Sequence, residues 1–346
     1  ESLARVRMTA ISTTLATNAI VEGRGCKVGV IALSPWDWTE EELGHEPLAN
    51  VPGAVSITGD IIEPLDEDAC LKAAERLVVR EHCSAIVVAG YSTVRNPVQA
   101  NRVREIVCGS FGIPVLCAHE ISRRLNMFQG AQTAIANARL LPIIGSLLDS
   151  VRKALSDFKV PGRLMVVKGD GSTVDEAMAR ARPVETILSG PASSVSGARA
   201  LSGLRDAIVM DIGGTTTDCS IIRGGRAKVC PDGARIGAWT MGVDAIEMST
   251  TGLGGDSRID FDRERRIHIG PQRNLPFCLL AHRHGAVLEF LRSFQARAHA
   301  GSSSAAPLDI LVLDEPASLE LSDRERQLLD ILGSGPVPAA EAARRM

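Results

Sequence analysis

Asp211-Ile-Gly-Gly-Thr-Thr-Thr-Asp218 stands between two short apolar runs, Ala207–Ile212 and Cys219–Arg223. Runs of that length bounded by glycine predict strands, so the octapeptide is expected to form a tight hairpin tip. Gly213 and Gly214 can adopt backbone angles that residues with a Cβ resist, which lets amide N–H groups converge on an anion. Thr215, Thr216 and Thr217 add hydroxyl donors. The carboxylates at the two ends, Asp211 and Asp218, would repel a bare phosphate. They make sense if a divalent cation, Mg²⁺ retaining some of its waters, lies between them and the phosphates. Several charge-assisted bonds, each worth about 1.5–3 kcal/mol, would then hold a nucleotide tail.

Downstream, Arg226–Val229 follows Gly224-Gly225 and predicts a third strand, giving an antiparallel meander. Upstream, Val28–Leu33, Ala85–Gly90 and Ile113–Cys117 predict buried strands, and Asp66–Glu81 and Pro97–Cys108 predict helices between them. That alternation is an α/β layer. Ala131–Leu155 predicts one or two helices interrupted near Pro142, and Arg163–Lys168 a further strand. Thr13, Thr14, Thr17 and Asn18 open a helix, where they either line an anion site or cap the helix. Ser189-Gly190-Pro191 predicts a strand-to-helix turn, and Gly252-Leu-Gly-Gly255 with Asp256 a second glycine loop. At Ser189 and Gly190 a ligand-facing role competes with simple close packing. Lys168 and Asp170 end a strand, either toward a cleft or toward solvent. Cys278, His282 and His284 are expected to be ordinary surface residues rather than a zinc shell. Toward the C-terminus, Gly301–Pro307 predicts a linker and Leu308–Leu313 a strand. Ser322 to Leu332 predicts a helix opened by a Ser322/Glu325 capping box, followed by a short Ala-rich helix.

The chain has 346 residues, 45% hydrophobic and 23% charged, with a net charge of -3. Its length predicts about two domains. The near-neutral charge and 3% aromatic content argue against a nucleic-acid partner. No apolar run approaches the ~20 residues of a membrane span, so no membrane partner is expected. Eight cysteines without a C-x-x-C pair fit a reduced, cytoplasmic protein. The first residues, Glu1-Ser-Leu-Ala-Arg5, have neither an initiator Met nor a signal-peptide core, so the chain is expected to be a fragment or to begin where order begins.

Asp211–Asp218 resembles the second phosphate loop of the actin/Hsp70/sugar-kinase ATPase superfamily, and its wording is particularly similar to the hydantoinase A/oxoprolinase family. Ser12–Gly25, Tyr91–Ile106, Gln132 to Pro142, Val184–Ala198 and Ser249–Ile259 resemble further segments of that family in the same order. The resemblance covers roughly residues 10–275. It implies an RNase H-like, actin-like ATPase fold of two α/β domains around a nucleotide cleft, truncated relative to the family. Residues 1–125 would form the N-terminal α/β domain without the first phosphate loop, 126–300 the ATPase core domain, and 301–346 a linker, strand and C-terminal helices. It implies ATP and Mg²⁺ as cofactors and ATP-dependent opening of a cyclic amide, a hydantoin or 5-oxoproline, through phosphorylation of the amide oxygen. A second hydantoinase-type subunit or a homo-oligomer is the implied partner.

By that resemblance Asp211 would hold a Mg²⁺-bound water, Asp218 would bind Mg²⁺ or orient water, and Gly213 to Thr217 would cradle phosphate. Thr13, Thr14, Asn18, Ser189, Gly190, Gly252, Gly254 and Gly255 would lie near the nucleotide. Two departures stand out. Nothing before Ser12 matches the family's first Asp-x-Gly-Gly-Thr loop. Asp314-Glu-Pro-Ala stands where adenine-side glycines are expected, and its carboxylates would repel a nucleotide. The rival expectation is therefore a degenerate ATPase-fold subunit acting as nucleotide sensor or scaffold.

Overall fold

The computed structural model describes residues 3–122, 124–237, 239–262, 264–299, 309–313, 321–333 and 335–346. They fall into two compact units. Unit 1 takes Glu1–Asp211 and Thr217–Thr251; unit 2 takes Ile212–Thr216 and Gly252–Met346. The segments 1–125 and 126–211 thus lie together in unit 1, and the division falls at the tip of the glycine hairpin.

Unit 1 opens with β1 (Met8–Ile11), α1 (Leu15–Val21) and β2 (Val28–Leu33). A short helix α2 (Glu40–Leu43) leads to β3 (Leu48–Val51), and a small hairpin, β4 (Ala54–Val55) with β5 (Ile61–Glu63), precedes α3 (Glu67–Glu75). Then come β6 (Ala85–Gly90), α4 (Val98–Phe111) and β7 (Val115–Cys117). The four strands form a parallel sheet in the order β3-β2-β6-β7.

The two central strands are buried at every position, which is why VGVIAL and AIVVAG show no polar alternation. Their side chains divide by parity. Val30, Ala32, Val87 and Ala89 join one core cluster. Ile31, Leu33, Ile86 and Val88 join another with Leu77, Val103 and Val107 from the helical side. Each large side chain buried this way contributes about 1.5–3 kcal/mol. The helix expected over Asp66–Glu81 ends at Glu75 and closes with a π turn over Arg76–Arg80, in which Glu81 N–H reaches back to the Arg76 carbonyl.

After α5 (Ala118–Ile121), helix α6 (Met127–Asp157) runs unbroken through Pro142, correcting the interruption expected there. Proline removes one donor and frees the carbonyl four residues back. That carbonyl, on Ala138, accepts a bond from the Cys26 thiol at 3.3 Å instead. The α6 helix is also, among the described residues, long and apolar enough to cross a membrane by length and composition. That outcome differs from the sequence expectation. Here Ala131, Ala134, Ile135, Ala138, Leu140 and Leu148 are buried in the larger core cluster.

Next, β8 (Arg163–Val167) pairs parallel with β1 and antiparallel with β9 (Thr173–Asp175). Helices α7 (Glu176–Ala181) and α8 (Ser189–Ser202) lead into β10 (Ala207–Ile212), β11 (Thr217–Arg223) and β12 (Arg226–Ala227), the expected meander. A hairpin of β13 (Ala234–Ile236) and β14 (Trp239–Met241) follows. β15 (Met248–Thr251) then returns to pair antiparallel with β11.

Unit 2 continues with the hairpin β16 (Ser257–Phe261) and β17 (Ile267–Arg273), then α9 (Phe277–Arg283) and α10 (Gly285–His299). The expected linker over 301–307 lies outside the described residues. Of the strand expected over 308–313, Ile310–Leu311 forms β18. α11 (Asp323–Leu332) starts with the expected capping box. β19 (Val337–Pro338) pairs with β18, and α12 (Ala339–Arg345) closes a small core of Leu332, Val337 and Ala342.

Candidate functional site: the glycine hairpin

The hairpin tip is closed by the Gly213 N–H donating to the Thr216 carbonyl at 2.9 Å. Residues 211–215 are exposed and Thr216 to Asp218 half-buried. Among the described residues, the amides of Gly214, Thr215 and Thr216 find no acceptor. Three successive free N–H groups at an exposed tip are a ready anion site.

Gly213 and Gly214 adopt no left-handed φ, so the reason for glycine differs from the one expected. It is close approach. A Cβ on Gly214 would lie 2.9 Å from an Asp256 carboxylate oxygen, and one on Gly254 would lie 2.5 Å from the Gly214 carbonyl oxygen. The second glycine loop is laced onto the tip. Gly255 N–H donates to the Gly213 carbonyl at 2.8 Å and Asp256 N–H to the Gly214 carbonyl at 2.7 Å. Ser257 Oγ accepts the Gly254 N–H at 2.9 Å.

The β11–β15 register, with Asp218 opposite Thr250, delivers that loop to the tip. It also lets the Thr250 hydroxyl donate to Asp218 Oδ1 at 2.5 Å. Asp256 is thus a third carboxylate beside the tip. Sequence reasoning quoted it without a role, and the only available signal was the Gly-Gly-Asp wording.

The remaining residues sort differently. Ser189 is fully buried, and its hydroxyl both accepts the Thr13 N–H (3.2 Å) and donates to the Thr13 carbonyl (3.0 Å). Thr13 Oγ1 accepts the Leu15 N–H, and Thr17 Oγ1 the Leu188 N–H, both at 3.0 Å. Ser189, Thr13 and Thr17 therefore tie the threonine segment to the start of α8. Thr14 precedes α1 without a side-chain cap bond and, like Asn18, is exposed. A Cβ on Gly190 would meet the Thr14 methyl at 3.4 Å, which is close packing.

Lys168 neither opens toward a ligand nor floats in solvent. It pairs with Glu185 at 3.1 Å and with Asp170 at 3.5 Å. Burial pulls its pKa down, but Glu185 and Asp170 outweigh burial and leave it raised. His282 lies in the last turn of α9, and His284 is the residue that follows the helix. Among the described residues no group of three His, Cys, Asp or Glu side chains could by itself hold a metal. Asp314 and Glu315 lie outside the described residues.

The hydantoinase/oxoprolinase family profile matches residues 130–274, which include both glycine segments, and the profile of that family's N-terminal region matches residues 1–109. This chain belongs to the hydantoinase/oxoprolinase family. The caprolactamase alpha subunit of Pseudomonas jessenii is 26% identical to it over 285 residues, covering 75% of this chain and 41% of that subunit. The acetophenone carboxylase gamma subunit of Aromatoleum aromaticum is 21% identical, covering 79% and 42%. The solved ATP-dependent caprolactamase of P. jessenii shares the fold with a TM-score of 0.67 at 25% identity, over 79% of this chain and 43% of that one. This family member thus spans about two fifths of the length of the relatives it matches.

Proposed function

We propose that this chain is the phosphate-binding part of an ATP-dependent enzyme that opens a cyclic amide, working with a second subunit. The observation that carries the proposal is the run of amides at Gly214, Thr215 and Thr216 that find no acceptor among the described residues, at a tip held by Gly254 to Asp256. A relative named as an ATP-dependent caprolactamase, and relatives named as subunits, support the substrate class and the partner. Hydantoins and 5-oxoproline are the ring types that the family name suggests.

The donor set fits both halves of a Mg²⁺-nucleotide. Unpaired N–H groups suit phosphate oxygens, and a carboxylate such as Asp218, or Asp211, is a hard oxygen donor of the kind Mg²⁺ accepts while keeping its waters. ATP would supply the phosphoryl group that turns an amide oxygen into a leaving group. This chain's residues would position and neutralise charge, which is most of what phosphoryl transfer requires. The tip amides would orient the phosphates. Thr250 holds the Asp218 carboxylate through its hydrogen bond, and Asp211 would face the cation.

In this reading the β10–β12 meander opens an RNase H-like ATPase domain. Residues 1–125 form the N-terminal domain, 126–300 the ATPase core and 301–346 an appendage. The eight free thiols fit a cytoplasmic setting.

The test is ADP release by the chain with its second subunit over a panel of lactams and hydantoins, repeated with Asp218→Ala. Lactam-dependent ADP release that Asp218→Ala abolishes supports the proposal. Release no greater than background, with Asp218→Ala indistinguishable from the parent, refutes it. Tight Mg²⁺-ATP binding without turnover would favour a nucleotide sensor, and no binding a scaffold.

A further inference from the structure

A second site lies in unit 1, at the carboxyl edge of its parallel sheet. The sheet runs β3-β2-β6-β7 with all strands parallel, so the carboxyl ends of β6 and β7 open side by side on one edge. Here the loop after β6, carrying Tyr91 to Arg95, and residues 118–122 and 124–127 after β7 wall a small cavity of about 90 Å³, which admits only a small ligand.

The chemistry of the cavity is specific. Its lining includes no acidic side chain. Arg95 is exposed, and among the described residues no carboxylate pairs with its guanidinium. Arg124, the other arginine among the described lining residues, is engaged with the Pro231 carbonyl at 2.6 Å and lies 3.6 Å from Asp244. The 31-residue helix α6 begins at this wall, capped by Asn126, so the positive end of its dipole adds to Arg95.

His119 brings no charge of its own near neutral pH, because burial pushes its pKa down. Its Nδ1 is buried without a hydrogen-bond partner among the described residues, a state that native structures rarely leave unexplained. The rim is apolar. Ile57 is 64% exposed and Leu125 74%, and Tyr91 is backed by Trp36 with ring centroids 5.2 Å apart.

We propose that this cleft binds a small organic carboxylate, with the carboxylate against Arg95 and the start of α6 and the apolar body against Ile57 and Leu125. Among the described residues, one unpaired guanidinium matches one negative charge. The apolar rim would strip water from a doubly charged phosphate with too little compensation. None of these residues belongs to the glycine hairpin or its partner loop, so the proposal stands or falls independently of nucleotide binding.

The test is calorimetric titration of the full chain with benzoate and with benzamide, its uncharged isostere. Benzoate is expected to bind at least about tenfold more tightly, and Arg95→Gln to erase the difference. Raising the salt from about 0.05 M to about 0.5 M should weaken benzoate and leave benzamide unchanged. The exposed Arg95 side chain has no ion-pair partner among the described residues, so Arg95→Gln should melt like the parent. Equal affinities, binding of neither probe, a preference that survives Arg95→Gln, or displacement of benzoate by an equal concentration of inorganic phosphate would each overturn the proposal.

Discussion

Replacing Gly254 by alanine should detach the second glycine loop from the hairpin tip. The new methyl would lie 2.5 Å from the Gly214 carbonyl oxygen, 2.6 Å from its carbon and 2.8 Å from the Gly213 oxygen. All three are main-chain atoms, and ordinary contact needs roughly 3.5 Å, so the two segments must part by about 1 Å. A movement of that size breaks both the bond from Gly255 to Gly213 (2.8 Å) and the bond from Asp256 to Gly214 (2.7 Å). Overpacking costs about 1–3 kcal/mol and each lost bond about 0.5–1.5 kcal/mol, so the closed arrangement loses about 2–6 kcal/mol. If the tip amides bind phosphate in that closed arrangement, Mg²⁺-ATP affinity falls at least about 30-fold, the equivalent of 2 kcal/mol. Titration calorimetry reads the affinity, and hydrogen exchange at residues 213–216 reads the loosening. Gly252→Ala is the control, because a Cβ there meets nothing within 4 Å. Wild-type affinity in Gly254→Ala, or equal losses in both variants, would refute the reasoning.

Ser189→Ala should lower the melting temperature, because the half-buried Thr13 N–H loses its acceptor at a cost of about 1–3 kcal/mol, or about 2–4 °C per kcal/mol. Binding of Mg²⁺-ATP by the folded variant should be unchanged, and loss of binding without loss of stability would restore Ser189 to the ligand site. Burial lowers the pKa of both His45 and His119. The unfolded chain therefore takes up more protons there, and their contribution to stability is complete above the unfolded value of about 6.5 and is lost as pH falls through the folded values. Urea unfolding should show that acid limb, and His45→Gln should flatten it. Burial pushes the thiols of Cys70 and Cys117 up to about 11 and about 12, whereas Cys108 and Cys278 are exposed. Mass spectrometry after brief native alkylation should find the exposed pair modified and the buried pair intact.

Much of the α/β layer was legible because strands buried on both faces must be continuously apolar. Val28–Leu33 and Ala85–Gly90 form with the bounds that pattern gave. Pro142 was misleading for a local reason. Proline does remove a helix bond, but the freed Ala138 carbonyl finds the Cys26 thiol, a partner 112 positions away that no window could contain. The glycines of the tip were singled out for their dihedrals, yet neither has a left-handed φ, and at Gly214 the need for glycine comes from the approach of Gly254 and Asp256.

The sequence by itself determined the hairpin, the threonine donors, the two bracketing carboxylates and the family, because strand patterning and short motifs are properties of neighbouring residues. Only the tertiary structure decided which distant groups share a site. Pairing of β11 with β15 brings Asp256 to Gly214, and helix α8 claims the Ser189 hydroxyl for Thr13. The order of parallel strands sets the Arg95 and His119 loops around one cavity. Spatial proximity across a hundred residues follows from strand order and register. These are fixed by packing the whole core, and no local segment of the chain encodes them.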